Sequence, residues 1–448
     1  MQSSSNKYLP AYAAVTTLFF AWGFITSLID PLVAAVKGIF SLSDVEAQLS
    51  AFAFFIAYGI MSFPAATLLS RFKSVSTILI ALGMMIGGCL IMLVAANIEV
   101  YALVLGGLFV LASGITALQV AANPLAAALG SPEGSHFRLT FSQTFNSLGT
   151  FIGPIIGASL FLEGVEVKHG ETITDEVRTQ ALAGIDAAYF WLAGMIAALL
   201  AFFFVSRKIV GQAAPDSSAA KPKGIGEMLS DAFQSKWAML GGMAIFLYVG
   251  AEVAIGTQMA FFLNSDSIWG QSDAIFAFPF IDKIASSDGV LGVSLQEAAA
   301  LTALYWGGAM VGRLIGSALL AKVNAAMLLV VFTGAAAAMC FYVFSVGGVG
   351  AGFIALAIGL FNSIMFPVIF TLTLERSTAS SEATSGFLCT AIIGGAFVPL
   401  LAGLVSGHSS YVTAFIVPAV CYIILCVFAL SAAKTKATND VAEVATSH

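Results

Sequence analysis

The chain has 448 residues, of which 59% are hydrophobic and only 9% are charged. Because soluble domains carry roughly 25% charged residues, this composition excludes most soluble enzyme classes and indicates a polytopic α-helical membrane protein. The formal net charge of -6 at pH 7 gives no reason to expect a nucleic-acid partner.

Apolar stretches of about 20 residues, the length that crosses a bilayer as a helix, recur along the whole chain. The first has no basic run before it and no small-residue cleavage site after it, so it is predicted to stay as a spanning helix. Twelve spanning helices are predicted, at residues 8–36, 47–70, 75–97, 100–129, 138–162, 186–206, 237–263, 295–320, 325–346, 349–373, 384–406 and 410–432.

The Lys and Arg residues predict the orientation of these helices. With the N-terminus in the cytoplasm, most of the 18 Lys and Arg residues fall in cytoplasmic loops or in the C-terminal tail, and only Arg313 falls within a span. Cytoplasmic loops of membrane proteins carry this excess of positive charge, so we expect both termini to be cytoplasmic.

A polar stretch at residues 207–236, with two prolines and two adjacent serines, reads as a cytoplasmic linker. It separates an N-terminal half, residues 1–206, from a C-terminal half, residues 237–433, and residues 434–448 form a short cytoplasmic tail. The predicted fold class is an all-α membrane protein with twelve transmembrane helices in two pseudo-symmetric six-helix halves.

A weak internal repeat supports the two halves. The spacing Gly149-x4-Pro154 in the fifth span recurs as Gly394-x4-Pro399 in the eleventh. Prolines also correspond in the fourth and tenth spans, at nearly the same offset. Repeats of this kind are typical of transporters, so we expect two parallel halves with a substrate site between them near the midplane.

Ionisable groups at bilayer depth cost about 2.5–3.5 kcal/mol each, so each is a candidate functional residue. Asp30 lies towards the outer end of the first span and can bind a cation or take up a proton. Glu252 lies near the middle of the seventh span, where it either bonds to neighbouring helices or takes part in coupling or sugar binding. Arg313, in the eighth span, is either a structural cation on backbone carbonyls or part of a gate. Glu375 and Arg376, at the end of the tenth span, are predicted to form such a gate.

Amide side chains form the more informative set. Gln119 and Asn123 are spaced i,i+4 and share one face of the fourth span, and Gln143 and Asn146 are spaced i,i+3 in the fifth. Asn362 lies near the middle of the tenth span. Amides carry both donors and acceptors, which suits sugar hydroxyls, although they can equally join helices to each other.

Aromatic residues in the same spans could stack on the apolar face of a sugar ring, and the main candidates are Trp22 and Trp306, with Phe20, Tyr58 and Tyr305 beside them. For any one of them, simple packing is the alternative.

Other chemistries have little support in the sequence. The four histidines fall in loops, at span ends or in the tail, so carboxylates must carry any proton coupling. No phosphate-binding loop for ATP and no metal-ligand spacing is seen, and the five cysteines lie in apolar runs. We therefore expect no cofactor, and the absence of a nucleophile–base constellation argues against an enzyme.

Four strings carry a family resemblance: GITALQVAANPLAAALG at 114–130, HFRLTFSQTFNSLGTFIGPIIG at 136–157, FLYVGAEVAIG at 246–256 and YWGGAMVGRLIG at 305–316. The chain resembles the major facilitator superfamily and, within it, the fucose–galactose–glucose–hexuronate type of sugar:cation symporter, nearest to the glucose/galactose branch. The resemblance implies a bacterial inner-membrane carrier, monomeric and surrounded by lipid, that moves a monosaccharide inward with a cation by alternating access.

The resemblance also assigns residues. Asp30, in its LID context, matches the membrane-embedded Asp of the first span in the fucose permease. Gln119 stands where that permease has a Glu, which argues against two titrating carboxylates and for the glucose/galactose branch. Asp30 is then the main coupling residue, with Glu252 second, and the coupling ion is H+ or Na+, the latter bound near Asp30. Gln143 and Asn146 match the family's amides and are expected to bind sugar hydroxyls.

Two other functions remain open. The main alternative is a major facilitator exporter of a small amphipathic metabolite or drug, which would need a large apolar cavity with few amides. A membrane enzyme or sensor is the second, and the chain offers neither a catalytic constellation nor a signalling domain for it.

Overall fold

The computed structural model of the chain describes residues 2–29, 32, 36, 39–42, 44–161, 175–214, 224–278, 281–282, 291–293 and 295–437. Within these ranges the secondary structure is helical and contains no β-strand. Asp30, the predicted coupling residue, lies outside the described residues. So does most of the predicted external loop at 163–185, whose end forms the start of a helix.

Fifteen α-helices are formed by the described residues. They are α1 (Gln2–Ser27), α2 (Asp44–Ile98), α3 (Tyr101–Ala128), α4 (Ser135–Phe161), α5 (Asp175–Ala213), α6 (Ile225–Gln234), α7 (Lys236–Asn264), α8 (Leu295–Leu320), α9 (Ala325–Val346), α10 (Gly348–Asn362), α11 (Met365–Arg376), α12 (Ser381–Thr390), α13 (Gly394–His408), α14 (Tyr411–Ala414) and α15 (Ile416–Lys434).

The predicted twelve spans are confirmed. Ten stretches of the described residues are long and apolar enough to cross a membrane, and one of them, Phe52–Ile98, has 47 residues. A single crossing takes about 20 residues, so this stretch supplies two spans. They meet at Lys73, whose φ of 62° and ψ of 170° break the helix. α4 occupies the position of the fifth predicted span and completes the twelve.

Several helices differ in detail from the predicted spans. α1 ends at Ser27, although the apolar run that predicted it continues to residue 36. The tenth span is two helices, α10 and α11, separated by a turn at Ser363 and Ile364. The eleventh is interrupted by a 3-10 turn at Ala391–Ile393. Hydropathy detects only the apolar length, so it cannot find these interruptions.

The chain divides into two compact units. The first comprises Met1–Met239 with Ser377–Ala391, and the second comprises Leu240–Arg376 with Ile392–Ala437. In the first unit α12 packs against α2, α3 and α6. The domain boundaries drawn from the sequence stay predictions, as does the substrate site expected between the halves.

The predicted linker contains a helix of its own, α6. Its residues Met228 and Ala232 are buried against Phe63 of α2 and Ala383 of α12, all within the first unit. The stretch predicted as a polar connection therefore begins as the last turns of α5, passes through residues 215–223, which lie outside the described residues, and ends as a packed amphipathic helix.

The proline of the fourth span leaves a backbone oxygen without its helical donor. Pro124 has no N–H, so the Val120 oxygen four residues earlier receives no bond from within α3. The hydroxyl of Ser385 in α12 donates to that oxygen at 2.9 Å. This bond ties two helices of the first unit together and satisfies a buried acceptor.

Glycines allow α1 and α4 to approach closely in the first unit. A Cβ added at Gly23 would lie inside contact distance of the backbone oxygen of Asn146, and one added at Gly149 would meet the backbone of Phe20 and Phe24. Small residues at a crossing let two membrane helices bring their backbones together. The α1–α4 pair is therefore positioned by the lack of side chains at this crossing.

We predict that Gly23→Ala destabilises the protein by about 1–3 kcal/mol, because the new methyl group forces the two helices apart. Gly83→Ala is the matched control, since a Cβ there meets no described atom within 4 Å. Thermal melting of both purified variants in detergent measures the difference, and equal melting temperatures would contradict the packing of this crossing.

Candidate functional site

The first amide of α3, Gln119, bonds to α2 within the first unit. Its Nε2 donates to the hydroxyl of Tyr58 at 2.9 Å, and both side chains are buried. In this pairing the amide nitrogen of Gln119 faces the hydroxyl of Tyr58. Tyr58 is thus a hydrogen-bond partner of Gln119, and its predicted stacking on a sugar ring stays a prediction.

The second amide of α3, Asn123, faces α4. Its Oδ1 accepts a bond of 3.4 Å from the Nε2 of Gln143, and both residues are buried. The other half of the amide, Nδ2, has no hydrogen-bond partner among the described residues. A buried donor without a partner costs about 1–3 kcal/mol, so this atom is well suited to bind an acceptor on a ligand.

Asn146 lies at the α1–α4 crossing, and its side chain is partly buried. Its Nδ2 donates to the backbone oxygen of Phe19 at 3.3 Å. Trp22 is 3% exposed and packs against the Phe19 ring with a centroid distance of 4.1 Å. The predicted sugar-binding roles of Asn146 and Trp22 stay predictions, and the contacts seen here are with the protein itself.

A second polar cluster lies in the second unit around Glu252. The hydroxyl of Tyr248, one turn earlier in α7, donates to Glu252 Oε1 at 2.7 Å. The guanidinium of Arg313 in α8 stands 4.0 Å from the same oxygen, and the two charged side chains are 12% and 8% exposed. An acid and a base at bilayer depth therefore offset each other's charge, which reduces the cost of burying either one.

The same cluster includes Asn362, at the end of α10. Its Nδ2 donates to the hydroxyl of Tyr305 at 2.6 Å, and Tyr305 in turn donates to the backbone oxygen of Glu252 at 3.1 Å. Asn362 is completely buried, and its Oδ1 has no hydrogen-bond partner in the described part of the chain. Trp306 packs edge-on against Tyr305, with ring centroids 5.0 Å apart.

The break between α10 and α11 explains the position of Arg313. Pro367 lacks the N–H that would bond to the Ser363 oxygen four residues before it. Arg313 Nε donates to that oxygen at 2.8 Å. The cation thus caps a carbonyl and pairs with an acid, the structural role that was weighed against a gate. Its role in a gate stays a prediction.

Arg376 closes the end of α11. It bonds to Glu375 at 3.0 Å, to the backbone oxygen of Leu372 in its own helix at 3.2 Å, and to the oxygens of Ala432 and Thr435 near the end of α15 at 3.1 Å. A guanidinium that donates to carbonyls near the ends of two helices anchors both helix ends. The predicted gate at these two residues stays a prediction.

No group of three His, Cys, Asp or Glu side chains within the described ranges could hold a metal ion. A cation site at Asp30 lies outside those ranges and stays a prediction.

Sequence reasoning found the amides and the charges but missed two hydroxyls that orient them. Tyr248 was not singled out, although its spacing of four residues from Glu252 places both on one helix face. For Tyr305 only the ring was considered, and stacking on a ligand stays a prediction; its hydroxyl bonds to both Glu252 and Asn362. The i,i+4 spacing was a usable signal for the first, and nothing in the sequence indicated the second.

Each unit thus contains an asparagine amide with one half bonded and the other half buried and unpaired. In the first unit the unpaired atom is the donor of Asn123, and in the second it is the acceptor of Asn362. Taken separately, a donor of this kind can bind a hydroxyl oxygen and an acceptor of this kind can bind a hydroxyl hydrogen.

Comparisons with known proteins identify the family of the chain. The sequence model of the Major Facilitator Superfamily matches residues 14–381. The chain is 38% identical over 433 residues to the glucose/galactose transporter of Brucella abortus biovar 1 (strain 9-941), which covers 97% of this chain and 96% of that protein. It is 29% identical over 452 residues to the L-fucose-proton symporter of Escherichia coli K12, covering 97% and 95%. The crystal structure of a variant of the E. coli fucose:proton symporter FucP matches with a TM-score of 0.77 at 24% identity, over 96% of this chain and 100% of that one, which shows the shared fold.

We predict that Tyr58→Phe destabilises the protein by about 1–3 kcal/mol, because the buried amide of Gln119 loses its partner. Adding Gln119→Met should recover part of that loss, since an apolar pair of similar shape leaves no unpaired group. Melting curves of the two single variants and the double variant form the cycle, and strictly additive effects would show that the 2.9 Å bond is not made.

Proposed function

The chain belongs to the Major Facilitator Superfamily, and on that premise we propose that it is a secondary active transporter that imports a hexose of the glucose/galactose type together with a cation. Its relatives are membrane transporters and not enzymes. The names of two of them, a glucose/galactose transporter and an L-fucose-proton symporter, support both the sugar and the coupling.

The observation that carries the proposal is the set of buried amides with unpaired atoms. Asn123 keeps a free donor and Asn362 a free acceptor among the described residues, although each is surrounded by protein. An apolar substrate would leave both atoms unpaired at a cost of about 1–3 kcal/mol each. Hydroxyl groups can pair with either kind of atom, whereas apolar groups cannot, so each amide favours a sugar over an amphipathic drug.

Coupling is assigned to Asp30. The residue follows the apolar run LFFAWGFITSLI and precedes PLVAAV, so the sequence predicts that it lies within the first span. Glu252, the other candidate, already receives a hydrogen bond from Tyr248 and faces Arg313. A carboxylate with an internal cation beside it gains little from binding another. A cation entering at Asp30 down a potential of 100 mV would release about 2.3 kcal/mol, enough for a sugar gradient of nearly fiftyfold.

The first prediction from this proposal concerns transport itself. Proteoliposomes that contain the purified protein should accumulate labelled galactose when an inward H+ or Na+ gradient is imposed, and unlabelled glucose should compete. Mannose, fucose and N-acetylglucosamine are tested as further competitors, and their degree of inhibition shows which sugar stereochemistry the protein prefers. Galactose uptake that no sugar inhibits, or no uptake at all, would contradict the proposal.

The second prediction concerns Asp30→Asn. The variant should lose accumulation against a gradient but keep exchange of labelled for unlabelled sugar, because exchange needs no net movement of the coupling ion. Asp282→Asn, at an exposed position, is the matched control and should accumulate sugar as the wild type does. Normal accumulation by Asp30→Asn would remove this residue from the coupling mechanism.

A further inference from the structure

The amide of Asn362 can face only one way. The hydroxyl of Tyr305 has a single hydrogen, which it donates to the backbone oxygen of Glu252 at 3.1 Å. Towards Asn362 that hydroxyl can therefore only accept, and the contact of 2.6 Å requires the amide nitrogen to face it. Oxygen and nitrogen of an amide are told apart by such a network. The amide oxygen consequently points away from Tyr305.

The oxygen of this amide and two hydroxyls of the second unit are buried without a hydrogen-bond partner among the described residues. Asn362 Oδ1 has no hydrogen-bond partner among the described residues, and neither has the hydroxyl of Ser363, the next residue. Tyr422 of α15 is a third fully buried residue whose hydroxyl lacks a described partner. Buried polar atoms are paired in the great majority of cases, so these oxygens point to a polar group of a ligand.

A network of hydrogen bonds and one ion pair holds the amide in place. We call this network, formed by Tyr305, Glu252 and Arg313, the frame. Glu252 is fixed through its backbone by Tyr305 and through its carboxylate by Tyr248, at 2.7 Å. Arg313 stands beside that carboxylate and donates to the Ser363 oxygen at the end of α10. The frame therefore joins α7, α8 and the interruption of the tenth span. Movement of any one member would shift the amide.

We infer that Tyr305, Glu252 and Arg313 are positioning residues that fix the orientation of the Asn362 amide. In this orientation the amide oxygen accepts a hydrogen bond from a single hydroxyl of the substrate. The inference rests on the proposed sugar transport and deepens it. It gives Glu252 and Arg313 a role in substrate selection in place of coupling and gating. A substrate hydroxyl donates to the Asn362 oxygen, whereas fluorine or hydrogen at the same carbon cannot.

The test compares galactose with its monofluorinated deoxy analogues, one for each ring hydroxyl, as ligands of the purified protein in detergent. For the wild type, fluorine at one position should weaken binding about tenfold, the effect of one lost hydrogen bond. In Asn362→Leu the same fluorine should cost less than about threefold, because the acceptor is already gone. An equal cost of every fluorine in both proteins would overturn the inference.

Two further variants test the frame. Tyr305→Phe removes the hydroxyl that orients the amide, so the preference for the hydroxyl over fluorine should fall below about threefold. Tyr342→Phe, at an exposed tyrosine, is the control and should retain the wild-type preference. Glu252→Gln should raise the KM for galactose and leave the accumulation ratio intact. Loss of accumulation with exchange retained would make Glu252 a coupling residue and overturn its role in positioning.

A final measurement separates this inference from the proposed function. If the wild type binds no hexose, the proposed function fails. The hydrogen-bond network around Asn362 is then tested only by the thermal stability of the variants. Coupled effects of Tyr305→Phe and Asn362→Leu on stability would then support the frame, and additive effects would overturn it.

Discussion

A backbone carbonyl inside a membrane must find a donor within the protein, because lipid offers none. The prolines of the fourth and tenth spans each free one such carbonyl. In the first unit the freed oxygen belongs to Val120, and the hydroxyl of Ser385 serves it. In the second it belongs to Ser363, and the guanidinium of Arg313 serves it. At two related positions of the repeat, a proline therefore leaves a backbone oxygen without its helical donor, and a different type of side chain donates to it in each unit.

Because the donor in the second unit is the cation Arg313, the residues around it differ from those in the first unit. A buried guanidinium needs an acid nearby, which Glu252 provides. The backbone of Glu252 then receives the hydroxyl of Tyr305, and that hydroxyl fixes the amide of Asn362. In the first unit a neutral hydroxyl serves the corresponding carbonyl, and the amides are oriented by one another and by a tyrosine. The first unit thus contains an unpaired amide donor, and the second contains an unpaired amide acceptor that is oriented by the hydroxyl of Tyr305.

The sequence predicted the twelve spans well, because apolar length is a local property that a residue count detects. It also identified the amides and charges that the structure buries, since such groups are rare and costly at bilayer depth. It did not predict their partners. Gln119 and Tyr58 are 61 positions apart, and helix periodicity gives the face of each residue but not which helices pack together. The interruption at Ser363 was missed because membrane helices often tolerate proline without breaking, so Pro367 alone was not decisive.

The central claim is that sugar and cation cross together. The most direct measurement is the movement of both in the same lightly buffered proteoliposomes, with external pH and labelled sodium followed as galactose is added. The account predicts that galactose entry is accompanied by external alkalinisation or by sodium uptake in a fixed ratio to the sugar. Galactose entry accompanied by neither ion would contradict it.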